Sequence, residues 1–262
     1  MRCLYVDLDA TLLGPGGAVT RDGDGRFTLL GLRALEACDR AGALVVAMSG
    51  RPRATLAGDV RLLGIEDYIF EAGAGFVLDG ELHWLGDPDG NAAIARSGAL
   101  ALLTDHFAGR LEADPQQRES SHLMRGLVDI GEAEALLAEH GHGDLRLIDN
   151  GPSYRHSQAL ADALPSVRAY HLIARTISKA AAVAAHARAR GLARAECVAV
   201  GDSREDLDVA ESVGALWLVA NAIEHDPGLR HELARHPNAR VAEAAHGPGV
   251  YEAVVTTLAE AR

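Results

Sequence analysis

Two aspartates, Asp7 and Asp9, end an apolar run near the start of the chain. Residues i and i+2 of a strand point the same way, so both carboxylates would leave the strand toward one point. Two acids at one point repel each other unless a cation, a proton or a reacting centre compensates them. The pair therefore predicts a chemical site rather than a surface feature.

Other groups that bind phosphates or cations stand near the ends of further apolar runs or at the start of a helical pattern. They are Thr11, Ser49, Gly50, Lys179, Asp202, Asp206 and Asn221. Carboxylates can supply a nucleophile, a proton donor and hard oxygen ligands for Mg²⁺, and hydroxyl, amide and ammonium groups can bind phosphate oxygens. This set is what a phosphoryl-transfer site needs. Lys179 is also the only lysine in the chain.

A sheet must bring these groups to one edge, and the hydrophobic pattern predicts one. Short apolar runs typical of buried parallel strands alternate with helical patterns. The first apolar run starts at Cys3, and the others are 43–48, 68–70, 197–200 and 215–220. The helical patterns are 28–41, 54–63, 178–190 and 249–261. We expect an α/β fold with a doubly wound, Rossmann-like parallel sheet, whose ligands bind beyond the carboxyl ends of the strands.

The middle of the chain differs in character and predicts a smaller α+β unit. Strands are expected at 81–85, 123–130, 145–149 and 168–173, and helices at 92–107 and 132–140. We therefore predict a core made of residues 1–80 and 172–262, with an α+β insert at 81–171.

Composition narrows the classes of partner. The net charge of −12 opposes binding to a nucleic acid or an anionic membrane. No apolar run approaches the roughly 20 residues of a membrane span. Cys3, Cys38 and Cys197 lack the spacing of a disulfide framework or a zinc cluster, so we expect them in the core. We expect a cytoplasmic monomer or homodimer.

Four motifs in order resemble those of the haloacid dehalogenase superfamily of phosphohydrolases. They are Asp7-Leu8-Asp9-Ala10-Thr11, Ser49-Gly50-Arg51, Lys179, and Gly201-Asp202-Ser203-Arg204-Glu205-Asp206. The long segment between the second and third motifs resembles the Cof-like branch, which includes sucrose-phosphate and mannosyl-phosphoglycerate phosphatases. The resemblance covers the whole chain in architecture and about twenty residues in motifs.

The resemblance implies separate roles for the two aspartates of the first motif. Asp7 would attack phosphorus and become an aspartyl-phosphate. Asp9 would protonate the leaving alcohol and then activate water.

The resemblance also implies a Mg²⁺ site and a phosphate site. Mg²⁺ would be held by Asp7, the backbone carbonyl of Asp9 and Asp202. Asp206 would be either a further ligand or a residue that orients a ligand. The groups expected around the phosphate are Thr11, Ser49, Gly50, Lys179 and Asn221.

Two residues depart from the family pattern. Ala10 stands where the family usually has glycine, which fits if the backbone there is not left-handed. Glu205 stands where asparagine is common, and it could tighten metal binding or point to solvent.

Other polar residues leave two interpretations open. Arg51 could contact substrate or form a salt bridge at the strand end. His140 and His142 could suggest a metal site, but a solvated turn is favoured because no further ligand has a suitable spacing.

By resemblance the insert is a cap that closes over the site and contacts the leaving group of the substrate. Its candidate contacts are Arg125, Asp149, Asn150, Tyr154, Arg155 and His171, of which Arg125 and Asn150 are preferred. Aromatic residues make up only 4% of the chain, which leaves little for stacking a nucleobase.

We therefore predict a Mg²⁺-dependent phosphomonoesterase acting on a small phosphorylated metabolite, with a sugar phosphate favoured. A phosphomutase or phosphotransferase with the same intermediate is the nearest alternative. A dehalogenase or phosphonatase is disfavoured because Asp9 is present. A phospho-accepting signalling domain would need no insert, and the complete motif set disfavours a silent binder.

Overall fold

The computed structural model describes residues 1–153 and 155–260 and contains two β-sheets. The strands are β1 (Cys3–Asp7), β2 (Leu44–Met48), β3 (Asp67–Phe70), β4 (Gly75–Leu78), β5 (Glu81–Trp84), β6 (Leu111–Ala113), β7 (His122–Gly126), β8 (Leu145–Pro152), β9 (Arg168–Ala174), β10 (Cys197–Gly201), β11 (Ala215–Leu218) and β12 (Ala239–Val241). The helices are α1 (Leu30–Arg40), α2 (Arg53–Leu62), α3 (Gly90–Ser97), α4 (Ala99–His106), α5 (Ile130–Glu139), α6 (Gln158–Ala163), α7 (Lys179–Ala189), α8 (Arg204–Leu207), α9 (Ala220–His225), α10 (Leu229–Leu233) and α11 (His246–Glu260).

The larger sheet has the order β12-β11-β10-β1-β2-β3-β4-β5. The six strands from β12 to β3 are parallel, whereas β4 and β5 are antiparallel additions. The chain leaves β1 toward β2 on one side and later returns to β10 on the other. The strand order therefore reverses at β1, which is where an open α/β sheet forms its ligand crevice. The predicted doubly wound fold is confirmed.

Residues of β1 alternate between two buried layers, one on each face of this sheet. Leu4 and Val6 pack with α1, α2 and α11, whereas Cys3 and Tyr5 pack with α7 and α8. Burial on both faces explains why β1 is apolar throughout until Asp7. Cys3, Cys38 and Cys197 are free and buried, as predicted.

The smaller sheet has the antiparallel order β6-β7-β9-β8 and belongs to the inserted unit, residues 90–174, which we call the cap. Tyr170 and Leu172 of β9 pack against α3, α4 and α5. Because side chains alternate along a strand, His171 and Ile173 lie on the opposite face. Ile173 and Ile148 of β8 pack against Ala72, Ala74 and Ile177. This second face is therefore turned toward the rest of the chain, which we call the core.

Several element boundaries differ from the sequence-based expectations. β5 was expected in the insert at 81–171, but it pairs with β4 in the larger sheet, and β9 continues to Ala174. Asp79 and Gly80 have φ values of +51° and +80°, which suits the tight turn of a β4–β5 hairpin. The helix expected at 92–107 is two helices because Gly98, with φ of +90°, interrupts it.

Within residues 1–153 and 155–260, no helix combines the length and the apolar character that a membrane crossing requires.

Candidate active site

A buried ion-pair cluster lies at the carboxyl end of β1. Nζ of Lys179 is 2.6 Å from Oδ1 of Asp7 and 2.7 Å from Oδ1 of Asp206. All three side chains are less than a tenth exposed. Burial raises the pKa of Asp7, and the Lys179 ammonium opposes that rise. The only lysine of the chain therefore partly compensates the negative charges of Asp7 and Asp206.

Local caps position Lys179 and Asp206. Ser178 precedes α7, and its side chain accepts a hydrogen bond from the amide of Ala181, which fixes Lys179 in the first turn. Ser203 precedes α8 and accepts from the amide of Asp206. Oδ2 of Asp206 in turn accepts from the amide and the hydroxyl of Ser203. The two side chains are therefore held by the first turns of their helices.

Three carboxylates form a candidate metal site. Asp7, Asp202 and Asp206 each offer a ligand atom within 4.8 Å of the others. Both oxygens of Asp206 already accept hydrogen bonds, whereas Asp7 uses only Oδ1 and Asp202 accepts from Thr11 through Oδ1 at 3.2 Å. Burial and the Asp206 charge raise the pKa of Asp202 to about 7. Hard oxygen donors crowded in this way suit Mg²⁺, with Asp7 and Asp202 the better ligands.

The side chain of Asp9 lies outside this carboxylate group. It is 51% exposed, and Arg51 holds both of its oxygens, at 2.5 Å from Nη2 and 2.8 Å from Nε. Nη1 of Arg51 binds Asp59 at 2.5 Å. β1 ends at Asp7, so the strand alternation on which the pairing of Asp7 with Asp9 was predicted does not extend to Asp9. Of the two interpretations of Arg51, the structure has the salt bridge.

The turn after Asp9 is left-handed at Ala10, where φ is +60°. The condition under which alanine would fit without strain is therefore not met. Asn221 donates from Nδ2 to the carbonyl of Ala10 at 2.9 Å and accepts from the amide of His246 at 3.0 Å. We predicted a phosphate contact for Asn221, but its amide instead fastens this turn to α11.

The second motif follows β2 and contacts the cap. Ser49 is 1% exposed, and its Oγ accepts from the amide of Arg51 at 3.1 Å. A methyl group at Gly50 would lie 2.7 Å from Oδ1 of Asn150 and 2.8 Å from Nε2 of His171. A larger residue at this position would therefore displace the ends of the Asn150 and His171 side chains, which lie against this turn.

The two preferred cap residues differ in their surroundings. Asn150 is exposed and makes no side-chain hydrogen bond to another described residue, whereas Arg125 binds Asp114 at 2.5 Å and also Ser153. His171 is 1% exposed, and neither ring nitrogen has a partner among the described residues.

Three predicted cap contacts remain. Asp149 binds Arg168 at 2.6 Å within the cap. Arg155 is exposed, and Tyr154 lies outside the described residues.

Sequence reasoning missed a carboxylate that joins cap and core. Glu71 is fully buried directly after β3. Oε1 accepts from the amide of Glu119 at 2.8 Å, and Oε2 accepts from the amides of Ser120 and Ser121 and from the hydroxyl of Ser121. The sequence signal that could have identified Glu71 is its position directly after a predicted strand. Arg118 of the same cap loop donates to the carbonyl of Gly50 at 2.5 Å, and nothing in the sequence pointed to it.

Glu205 also joins the two units. Its oxygens lie 3.2 Å from Nη1 and Nη2 of Arg146 on β8, so neither metal binding nor solvent exposure describes it. Nδ1 of His140 lies 3.0 Å from the carbonyl oxygen of Leu136, and His140 and His142 are not part of the carboxylate group.

Comparison with known proteins finds relatives over most of the chain. No family model matches it. A phosphoglycolate phosphatase of Archaeoglobus fulgidus is 29% identical over 226 residues, 85% of each chain. A phosphoglycolate phosphatase of Halobacterium salinarum is 29% identical over 255 residues, which cover 96% of this chain and 95% of the relative.

Solved structures share the two-unit fold. The sucrose-phosphatase of Synechocystis sp., in complex with sucrose and phosphate, has a TM-score of 0.66 at 17% identity and covers 98% of both chains. A haloacid dehalogenase-like hydrolase from B. subtilis has a TM-score of 0.64 at 19% identity, covering 97% of this chain and 99% of the other. The arrangement of core and cap is therefore common to these proteins.

Proposed function

We infer that this chain is a phosphatase of the haloacid dehalogenase superfamily that acts on a small phosphorylated metabolite through an aspartyl-phosphate on Asp7. The observation that carries this inference is the buried contact of Lys179 with Asp7 and Asp206, 2.6 Å and 2.7 Å, beside Asp202. A buried ammonium at the crevice of an α/β sheet can stabilise charge on a transferring phosphoryl group, and the acids around it can supply a nucleophile and metal ligands.

In the proposed first step, a carboxylate oxygen of Asp7 attacks phosphorus. A bond forms between this oxygen and phosphorus, the ester bond breaks, and the leaving oxygen takes a proton from Asp9, whose side chain must first separate from Arg51. In the second step, water attacks the phosphorus of the aspartyl-phosphate and gives a proton to Asp9. Phosphate leaves and Asp7 is restored.

We propose Mg²⁺ as the cofactor, held by Asp7 and Asp202. When bound, the ion would neutralise charge on the phosphoryl oxygens. Thr11 orients Asp202 through a hydrogen bond of 3.2 Å, and Asp206 orients Lys179. Ser49 and the amide of Gly50 border the same crevice and would bind phosphate oxygens.

For the substrate, the relatives favour a smaller molecule than the expected sugar phosphate. Those named above are phosphoglycolate phosphatases. We propose phosphate esters of short hydroxy acids as the first candidates, with phosphoglycolate as the reference, and sugar phosphates as the second.

The test is a phosphate-release screen with Mg²⁺ over hydroxy-acid phosphates, sugar phosphates, nucleotides and p-nitrophenyl phosphate. Asp7→Asn should abolish release while the circular dichroism spectrum is kept, and Asp105→Asn, an exposed aspartate of the cap, serves as the control. Turnover retained in Asp7→Asn would remove Asp7 as the nucleophile. Phosphate appearing on an added alcohol instead of in solution would favour the phosphotransferase.

A further inference from the structure

His171 is a buried polar side chain that the rest of the described structure does not satisfy. It is 1% exposed, and neither Nδ1 nor Nε2 has a hydrogen-bond partner among the described residues. Buried polar atoms without partners are rare in folded proteins. A group that does not belong to the described part of the chain is therefore expected to complete this site.

The position of His171 indicates where that group would sit. A methyl group at Gly50 would be 2.8 Å from Nε2 of His171 and 2.7 Å from Oδ1 of Asn150. Gly50 belongs to the turn that we assign to phosphate binding. His171 and Asn150 therefore lie directly against the turn that we assign to phosphate binding, so a leaving group that reaches both this turn and these side chains must be short.

The charges around His171 favour an anion. Burial and the positive charges of Arg118, Lys179 and Arg125 lower the pKa of His171 well below its ordinary value, so the ring is neutral and donates one hydrogen bond. Asp114 lies 2.5 Å from Arg125, and Glu71 lies 3.9 Å from Arg118. Burial still lowers the pKa of Arg118 to about 10, so its charge is incompletely compensated.

We propose that His171 and Asn150 bind the carboxylate of the leaving group, which makes the substrate a phosphate ester of a short hydroxy acid. The ring N–H of His171 and the side-chain amide of Asn150 are the donors. This inference rests on the proposed function and assigns the specificity of the same site to two cap residues.

The test compares two substrates of equal length, phosphoglycolate and 2-hydroxyethyl phosphate, which has an alcohol in place of the carboxylate. The unaltered enzyme should prefer phosphoglycolate by about 100-fold or more in kcat/KM. His171→Ala should lower kcat/KM for phosphoglycolate by about 10- to 100-fold and leave 2-hydroxyethyl phosphate within about threefold. His140→Ala, an exposed cap histidine, is the control and should change neither substrate.

Two further variants, one conservative and one at the second cap residue, complete the test. His171→Asn retains a donor and should restore part of the preference for phosphoglycolate. If His171→Ala fails to fold, Asn150→Ala replaces it, because the Asn150 side chain is exposed and should be dispensable for the fold. It should lower the preference in the same direction.

The outcomes separate this inference from the proposed function. Equal losses on both substrates, or a sugar phosphate preferred by the unaltered enzyme, would overturn the carboxylate site and leave the phosphatase intact. If no ester is hydrolysed, the proposed function fails. In that case, binding of phosphoglycolate to Asp7→Asn with and without His171→Ala still tests the site, and equal dissociation constants would reject it.

Discussion

Replacing Glu71 by glutamine tests how the cap is fastened to the core. The carboxylate is fully buried and accepts four hydrogen bonds from the cap loop, one through Oε1 and three through Oε2. Glutamine keeps one oxygen and places an NH₂ group against the remaining donors. The fold and the core motifs are untouched, so the change isolates this junction.

The expected loss follows from those four contacts. If the amide oxygen faces the three donors of Oε2, each bond changes from charge-assisted to neutral, at a cost of about 1 kcal/mol each. The amide of Glu119 then faces another donor and loses its partner, which adds about 1 kcal/mol at the lower end of the range. We expect local opening of the junction to become easier by about 4 kcal/mol.

Hydrogen exchange of the amides of Glu119, Ser120 and Ser121 measures this opening directly. Glu71→Gln should speed their exchange by about 100-fold or more. The control is Glu119→Gln, which breaks the ion pair with Arg53, whose two side chains are about a third exposed. A surface pair of that kind contributes about 0–1 kcal/mol. Equal exchange rates in the two variants would refute the role assigned to Glu71.

Four further predictions concern single residues. Ala10→Gly should raise stability by about 0.5–1 kcal/mol because φ is +60° there, and a lower melting temperature would contradict the strain. Lys179→Met should lower kcat by about 100- to 1000-fold, and steady-state rates near those of the unaltered enzyme would exclude its electrostatic role. Chelation should stop turnover reversibly, and Asp202→Asn should raise the Mg²⁺ concentration at half-maximal rate at least about tenfold; unchanged Mg²⁺ dependence would exclude Asp202 as a ligand. The depressed pKa of His171 means that only the unfolded chain binds a proton below about pH 6.5. Stability is then lost as the pH falls, and urea unfolding at pH 7.0 and 5.5 should show a loss about 1.3 kcal/mol larger than in His171→Asn, whereas equal losses would mean that His171 is charged in the folded state.

Residues at the carboxyl ends of parallel strands were predictable, because these ends meet at one edge of the sheet. Asp7, Ser49 and Asp202 were found in this way, and Lys179 came from its place at a helix start. The orientation of Asp9 was not predictable from strand alternation, because β1 ends at Asp7. Asn221 stands directly after a predicted strand, but its amide binds backbone groups of two neighbouring segments.

Contacts between cap and core were beyond sequence reasoning. Alternation divides the cap strands into two faces, but it does not say which face turns to the core. Arg118 and Glu71 are 47 positions apart and lie in irregular segments, so no periodicity relates them. The pairing of Arg146 with Glu205 likewise depends on how β8 is placed over α8.

Lys179 makes the chain open to a chemical measurement of its own site. Apart from the terminal amine, its Nζ is the only primary amine in the sequence, and its side chain is 5% exposed. An amine-directed acylating reagent therefore has one internal target, which reacts only when the buried site opens and the ion pairs with Asp7 and Asp206 separate. The rate at which the mass of the intact protein increases by one internal label would report the frequency of that opening, without any substrate.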